Sequence, residues 1–245
     1  MAGLSLTHVW QALIIGSSVS ICWGAAHAQT MTTTLEAKPM ISTSVNVDYA
    51  SSYIFRGQTV NRRATIQPAA SLMVGEQAEL GAWGNFPIER EREELEQEVD
   101  LYFRYTIPVG LANFVVGAIE YIYPEDDIDN DREIELAIGL DTILNPTLTA
   151  FFGVAGGVEN SQYLQFDLSQ DILEMNAVSV NLGGAMGYVR PEEGDEGLSY
   201  GLISLAANYA ILSASANWLL ETDEQINALS GQEDFYMTFG AGYTF

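Results

Sequence analysis

The feature that most constrains the fold is an alternation of apolar with polar or small side chains at a period of two residues. The final segment, 235–245, places Phe235, Met237, Phe239, Ala241, Tyr243 and Phe245 on one face and Tyr236, Thr238, Gly240, Gly242 and Thr244 on the other. Segments 99–107 and 133–141 alternate in the same way. Because successive side chains of a strand point to opposite sides, this pattern predicts strands with one apolar and one polar face.

Applied along the chain, the same criterion predicts an all-β protein with about 12 strands, with 10 and 14 as alternatives. The predicted strands lie near residues 41–56, 65–74, 77–86, 99–107, 111–123, 133–141, 147–158, 162–169, 176–189, 198–209, 210–220 and 235–245. Several have the ~9–11 residues that a tilted strand needs to cross a bilayer. Strands 65–74, 77–86 and 198–209 have a mixed phase, so the face on which Trp83 lies stays open.

The connections between the predicted strands alternate between long polar loops and short turns. The long loops are 58–65, 87–98, 124–132, 159–161, 190–197 and 221–234, and the short connections are 75–76, 108–110, 142–146, 170–175 and 209–210. Long loops on one side and short turns on the other are typical of a transmembrane barrel with apolar side chains facing lipid. The sequence therefore favours a single antiparallel up-and-down transmembrane β-barrel over a soluble sandwich or lipocalin-like barrel.

The first 28 residues predict a cleaved signal peptide. They contain no Asp, Glu, Lys or Arg, carry a short apolar stretch and end in Ala26-His27-Ala28, a small-x-small cleavage site. Cleavage near Ala28 would leave a periplasmic segment at 29–40 and a barrel at 41–245, located in the bacterial outer membrane. It would also remove Cys22, His8 and His27, the chain's cysteine and histidines, which excludes disulfides, thiolate chemistry and Ser-His catalysis.

Charge is unevenly distributed. The formal net charge is -24, and 21 of the 33 Asp and Glu residues lie in segments 87–98, 124–133, 190–197 and 221–234. A chain with 9 Lys and Arg is not expected to bind nucleic acid. Asp127, Asp129 and Asp131 resemble the start of a calcium loop but lack its glycine and distal Glu, so they predict at most a weak cation-binding loop. Neither a cofactor nor a dedicated metal site is predicted.

Charged residues within the predicted strands are candidates for lining the lumen. They are Asp48, Arg56, Asp100, Arg104, Glu120, Glu133, Glu135, Asp141 and Asp167, together with Gln165. A charge facing lipid costs ~2–4 kcal/mol for Arg at mid-depth, so these side chains are expected to face inward. Two interpretations stay open: Arg56 and Arg104 pair with carboxylates and fill the barrel, or the lumen is a wet acidic pore that favours cations.

One part of the chain resembles a known family. The run Asp48-Tyr-Ala-Ser-Ser-Tyr-Ile-Phe-Arg-Gly-Gln58, followed by Ile66-Gln67-Pro68-Ala69 and Ala82-Trp83-Gly84-Asn85, is similar to the Gcw_chp family of exported bacterial proteins of unknown function. The resemblance covers about 45 residues. It implies an exported β-barrel and supplies no activity, substrate or catalytic residue.

These observations predict a porin-like barrel for passive passage of small solutes with a preference for cations. The alternative is a structural or adhesive barrel filled by side chains. An enzyme is not expected, because without histidine only a carboxylate mechanism at Asp100 or Asp167 would remain. The expected partners are outer-membrane lipid, divalent cations at the acidic loops, and the barrel-assembly machinery through the closing strand that ends at Phe245.

Overall fold

A computed structural model describes residues 41–89, 97–124, 129–220 and 233–245, and within them the chain forms a closed antiparallel barrel. The strands are β1 (Ile41–Ala50), β2 (Tyr53–Phe55), β3 (Gln58–Asn61), β4 (Thr65–Val74), β5 (Ala78–Pro87), β6 (Glu98–Val109), β7 (Ala112–Ile122), β8 (Asp131–Leu140), β9 (Thr147–Ala155), β10 (Gln162–Met175), β11 (Val178–Arg190), β12 (Gly197–Tyr209), β13 (Leu212–Leu220) and β14 (Phe235–Thr244). All except β2 and β3 belong to the barrel, which confirms the prediction of 12 strands.

Neighbouring barrel strands are neighbours in sequence, and β1 closes the ring by pairing with both β4 and β14. The closing pair joins Ser44 to Thr244 and Ala50 to Thr238. Closure leaves no strand edge, which matters in hydrocarbon because unpaired backbone groups there cost several kcal/mol each. No helix within the described ranges is long and apolar enough to cross a membrane.

The alternation in the sequence corresponds to an apolar outer surface and a polar interior. On β8, Leu136 and Ile138 are 44% and 36% exposed, whereas Glu133 and Glu135 on the opposite face of the same strand are each 1% exposed. Phe239 on β14 is also exposed. Apolar side chains therefore point outward and carboxylates inward, as the transmembrane interpretation requires and opposite to a water-soluble barrel.

The two ends of the barrel differ in their connections. Tight turns at 75–77, 110–111, 176–177 and 210–211 lie at the end that also holds the start of β1 and the end of β14. Gly75 and Gly110 have positive φ angles there, a conformation that glycine adopts without steric cost. The connections at the opposite end are longer, and parts of them, 90–96, 125–128 and 221–232, lie outside the described residues.

Several predicted boundaries were wrong. The predicted strand 41–56 ends at Ala50; its last part contains β2, and the predicted loop 58–65 contains β3, with which β2 forms a separate two-stranded hairpin. β6 continues to Val109, into the predicted connection 108–110. β10 continues to Met175, so the predicted connection 170–175 belongs to a strand and the turn falls at 176–177. The predicted strand 147–158 ends at Ala155, because Gly156–Val158 form a short 3-10 helix. The signal peptide predicted at 1–28 and the segment 29–40 lie outside the described residues.

Candidate functional site

The hairpin of β2 and β3, residues 51–64, folds into the barrel interior rather than outward into solvent. Phe55 is fully buried and Arg56 is 4% exposed, although both lie at the tip of a two-residue turn. Arg56 and Gly57 both have positive φ angles, which the tight turn requires. Gly57 lies directly against the Tyr200 side chain of β12, and a Cβ atom at this position would collide with it.

Arg56 crosses the lumen and binds the wall opposite β1. Its Nη1 and Nη2 donate to Oε1 and Oε2 of Glu133 on β8, at 2.9 and 2.6 Å. Its guanidinium carbon lies 4.1 Å from the ring centroid of Tyr163 on β10 and 4.7 Å from those of Phe151 on β9 and Phe55. Such fork-to-fork pairing and stacking are the geometries that suit a guanidinium group best.

The electrostatics of this contact keep Arg56 charged. Burial is the largest single influence and lowers the pKa of Arg56, but attraction to Glu133, the hydrogen bonds to it and the nearby Tyr121 and Tyr163 together outweigh burial, so the pKa of Arg56 is raised above its ordinary value. The Tyr121 hydroxyl on β7 donates to Oε2 of Glu133 at 2.8 Å. The carboxylate therefore accepts from three donor groups of two side chains, because a buried charge must be satisfied to avoid a large desolvation cost.

Two further contacts hold the hairpin. The Tyr53 hydroxyl donates to Oε2 of Glu98 on β6 at 2.8 Å, and its ring packs against Trp83 on β5 with centroids 5.7 Å apart. Burial, together with the negative charge of Glu98, raises the pKa of Tyr53, so its hydroxyl remains a donor. The Thr59 hydroxyl accepts a hydrogen bond from the backbone N–H of Glu233, at 2.8 Å. Trp83, whose face stayed open in the sequence, therefore lies on the lumen side.

The inward faces of β6, β7 and β8, which we call the charged wall, carry a dense set of ionisable side chains. Its charged members are Glu98, Asp100, Arg104, Asp131, Glu133 and Glu135. Nε of Arg104 donates to Glu135 at 2.8 Å, and the guanidinium carbon of Arg104 lies 4.7 Å from the ring centroid of Tyr102. Glu98, Asp100, Asp131, Glu133 and Glu135 are each at most 3% exposed.

The inward faces of β11–β14 and β1, which we call the polar wall, are made of small uncharged groups. They include Asn46, Ser179, Asn181, Ser204, Asn208, Ser213, Ser215, Asn217 and Thr238. Ser215 and Thr238 are 2.7 Å apart, and Asn217 donates to Ser215 at 2.8 Å. Most of these side chains are half-buried rather than buried, and Asp48, which accepts from Asn46 at 2.9 Å, is the one charged side chain facing inward on these five described strands.

The remaining sequence-predicted candidates fall into two groups. Gln165 and Asp167 face inward on β10, where Gln165 donates to Asp167 at 2.9 Å and accepts from Tyr200 at 3.1 Å. Glu120 faces outward, a correction to the prediction, because it lies on the same side of β7 as Val116 and pairs with the exposed Arg132 at 2.9 Å. Asp141 lies beyond the end of β8 in a turn, exposed, where it accepts from Asn113.

The predicted cation-binding loop is described only in part. Asp127 lies outside the described residues and Asp129 is exposed. Asp131 is buried as the first residue of β8, and accepts from Tyr123 at 3.0 Å and from the backbone N–H of Gly157 at 2.5 Å. Across the described ranges, no three Asp, Glu, His or Cys side chains are grouped so that they could hold a metal ion. Glu98, Asp131 and Glu133 belong to the acidic segments 87–98 and 124–133, which the sequence assigned to loops, but their side chains face the lumen.

Sequence reasoning missed the aromatic residues that complete the site. Tyr53, Tyr121, Phe151, Tyr163 and Tyr200 line the lumen around the hairpin. On β7 the inward face carries Ile119 and Tyr121, which are both buried. The charge of Glu120 had predicted that the other face of this strand points inward. The signal that could have identified the hairpin is Arg56-Gly57, a turn dipeptide placed between two aromatic-rich segments.

Comparison with known proteins identifies both the family and the fold. The sequence pattern of a family described as "Bacterial protein of unknown function (Gcw_chp)" matches residues 35–245, which confirms the resemblance seen in the sequence. No curated protein matches the chain.

Solved structures are similar at low sequence identity. An outer membrane channel from Pseudomonas putida F1 is 11% identical, with 89% of this chain and 100% of that chain covered and a TM-score of 0.50. OccAB3 from Acinetobacter baumannii is 12% identical over 86% of this chain and 66% of that chain, with a TM-score of 0.38. A porin refined at 1.8 Å is 12% identical over 84% and 99%, with a TM-score of 0.33. The first shows that this chain shares its fold with that protein, and the other two scores carry no argument.

Proposed function

Because the chain belongs to the Gcw_chp family of bacterial proteins of unknown function, we propose its function from the geometry of its lumen. We propose that it is a bacterial outer-membrane barrel that lets small solutes pass passively and prefers cations. The outward apolar surface and closed ring support a location in lipid. The similarity of its fold to an outer membrane channel supports passage rather than catalysis, and we expect no enzymatic activity.

The observation that carries the cation preference is the sign of the inward charges. The inward carboxylates on the described strands include Asp48, Glu79, Glu98, Asp100, Asp131, Glu133, Glu135, Asp167 and Asp171, whereas the inward cations of the strands and the hairpin are Arg56 and Arg104. An excess of negative charge in a low-dielectric enclosure raises the local concentration of cations. Asp48, Glu79 and Asp167 are half-buried and Asp171 is exposed, so water and passing ions can reach these carboxylates.

Planar-bilayer recording tests this proposal. The full chain is expected to give conductance steps, with a reversal potential in a potassium chloride gradient that favours potassium. Asp48→Asn combined with Asp167→Asn should reduce that preference, because it removes two of the inward charges that water can reach. Glu120→Gln is the matched control, since it removes an outward charge and should leave the reversal potential unchanged. Absence of steps, or a preference for chloride, would overturn the proposal.

A second candidate function, a structural or adhesive barrel without transport, is favoured by one observation. The hairpin lies inside the ring and contacts side chains of β5, β6, β7, β8, β9, β10 and β12. Both interior arginines are also paired with carboxylates, as expected of a filled barrel. Folded protein that never conducts, in the wild type or after release of the hairpin, would favour this candidate.

The assembly partner is also proposed. β14 closes the ring and is followed by Phe245, which is 72% exposed and packs against the Tyr243 ring with centroids 4.9 Å apart. An exposed terminal aromatic on the closing strand is a feature that assembly machinery could recognise while the seam is open. Phe245→Ala is expected to lower the amount of folded barrel in the envelope without changing the stability of the barrel that does form.

A further inference from the structure

The side chains around Arg56 form a site that the barrel wall supplies almost entirely by itself. Tyr121, Glu133, Phe151 and Tyr163, which we call the wall cage, come from four consecutive strands, β7 to β10. Glu133 offers both carboxylate oxygens to the guanidinium, and the two rings lie on it at 4.1 and 4.7 Å. Only Phe55, also 4.7 Å away, is contributed by the hairpin.

The chemistry of the wall cage is selective. A carboxylate that presents both oxygens in one plane matches the two parallel N–H groups of a guanidinium, which an ammonium ion cannot reproduce. Aromatic faces attract cations and stack well on the flat, weakly hydrated guanidinium group. The Glu133 carboxylate repels anions. The wall cage is thus complementary to ligands that carry a guanidinium group, and Arg56 shows how such a group is oriented in it.

The hairpin that carries Arg56 is not paired with the strands of the barrel. β2 and β3 pair only with each other in a separate two-stranded sheet, whereas the ring closes from β1 directly to β4. Moving Arg56 out of the wall cage therefore breaks side-chain contacts and no barrel strand pairing. The cage can exist with the hairpin displaced.

We propose that the wall cage is a binding site for small solutes that carry a guanidinium group, and that Arg56 is an internal ligand that occupies it in their absence. The proposal rests on the proposed function, since the solute must reach the lumen. A solute that binds only when Arg56 has left shifts the hairpin toward the displaced state. Binding and widening of the passage would then be coupled.

The direct test removes the internal ligand and supplies a free one. Full-length Arg56→Ala, folded in detergent, is titrated with methylguanidinium chloride and, separately, with methylammonium chloride at the same ionic strength, by calorimetry. Methylguanidinium should bind Arg56→Ala about tenfold or more tightly than it binds Arg56→Ala/Glu133→Gln, because charge-assisted hydrogen bonds contribute about 1.5–3 kcal/mol. It should also bind more tightly than methylammonium.

A matched control is Arg104→Ala, which empties a site that has one carboxylate and one ring instead of the bidentate pair between two wall rings. Methylguanidinium should bind Arg104→Ala more weakly than Arg56→Ala. Equal binding by the two variants, or binding to Arg56→Ala that survives Glu133→Gln, would overturn the proposal.

A second measurement covers the case in which Arg56→Ala does not fold. In the otherwise native chain with Trp218→Phe, Trp83 is the remaining tryptophan after residue 28, and it packs against Tyr53 of the hairpin. Methylguanidinium should change Trp83 fluorescence at concentrations where methylammonium does not, and the absence of such a difference would overturn the proposal. Binding without any conductance would instead reject the proposed transport function and leave the wall cage in place.

Discussion

The charged wall and the polar wall line the lumen with different kinds of polar side chain. The charged wall buries carboxylates almost completely and gives Glu98, Asp131, Glu133 and Glu135 an arginine or tyrosine partner, as in the contacts of Glu133 with Arg56 and Tyr121. The polar wall uses small hydroxyl and amide groups that are half-buried and bond to each other, as Ser215 does to Thr238. Buried charges tolerate no loss of a partner, whereas hydrated hydroxyls do. The charged wall therefore holds the hairpin, and the polar wall is the side that water contacts.

The largest effect is expected when the charged wall loses Glu133. Glu133→Ala leaves the guanidinium of Arg56 buried without its carboxylate, so the free energy of unfolding should fall by about 3–5 kcal/mol. The measurement is the urea midpoint of the folded barrel, followed by heat-modifiable migration on a gel. Arg190→Ala is the control, because it breaks an exposed pair with Glu196 and should cost about 0–1 kcal/mol. Equal costs for the two variants would show that the buried pair has no special role.

An intermediate effect is expected at the hairpin tip. Gly57→Ala places a Cβ against Tyr200 at a positive φ angle, so the hairpin must shift and stability should fall by about 1–3 kcal/mol. Single-channel conductance should rise, because the tip leaves the space in front of β12.

Gly110→Ala is the matched control for the tip. It also introduces Ala at a positive φ angle, but in a turn where the new Cβ meets nothing within 4 Å. Gly110→Ala should therefore lower stability through backbone strain alone and leave conductance unchanged. If both variants conduct like the wild type, the hairpin does not limit passage.

The smallest effect is expected on the polar wall. Ser215→Ala removes the hydroxyl that bonds to Thr238 and accepts from Asn217, and the cost should lie near the lower end of about 0.5–1.5 kcal/mol. Water can take over the bond to Thr238, which is half-buried, and the buried Asn217 keeps its bond to the Tyr236 carbonyl. A loss as large as that of Glu133→Ala, measured by the same urea titration, would abolish the distinction between the two walls.

The barrel could be predicted from the sequence because its determinant is local. Most strands show their own alternation, as in Ile134, Leu136 and Ile138 against Glu133 and Glu135, and no knowledge of partners is needed to assign the two faces of such a strand. The alternation also identified Arg104, Glu135 and Asp100 as inward side chains. It failed for Glu120, because an outward charge near the end of a strand is stabilised by its neighbour Arg132 outside the apolar band.

The hairpin could not be predicted in the same way. Its strands have three and four residues, too short for a reliable period. Its burial depends on contacts with residues 30 to 174 positions further along the chain, as between Tyr53 and Trp83 and between Thr59 and Glu233. Such contacts are decided by three-dimensional proximity, not by local pattern. The direction in which a connection folds, inward or outward, is therefore the part of this site that required the structure.

The pairing of β1 with β14 has a consequence for the order of events during folding. The seam joins Ser44 to Thr244, 200 positions apart, so it can form only after nearly the whole chain has emerged, and such long-range pairing is slow. The hairpin is covalently continuous with β1. Its tip can therefore reach β7–β10 while that curved sheet is still open on one side, or as the first strand docks on the last. In that order of events Arg56 reaches the wall cage as the ring closes, and later displacement of the hairpin leaves the seam intact.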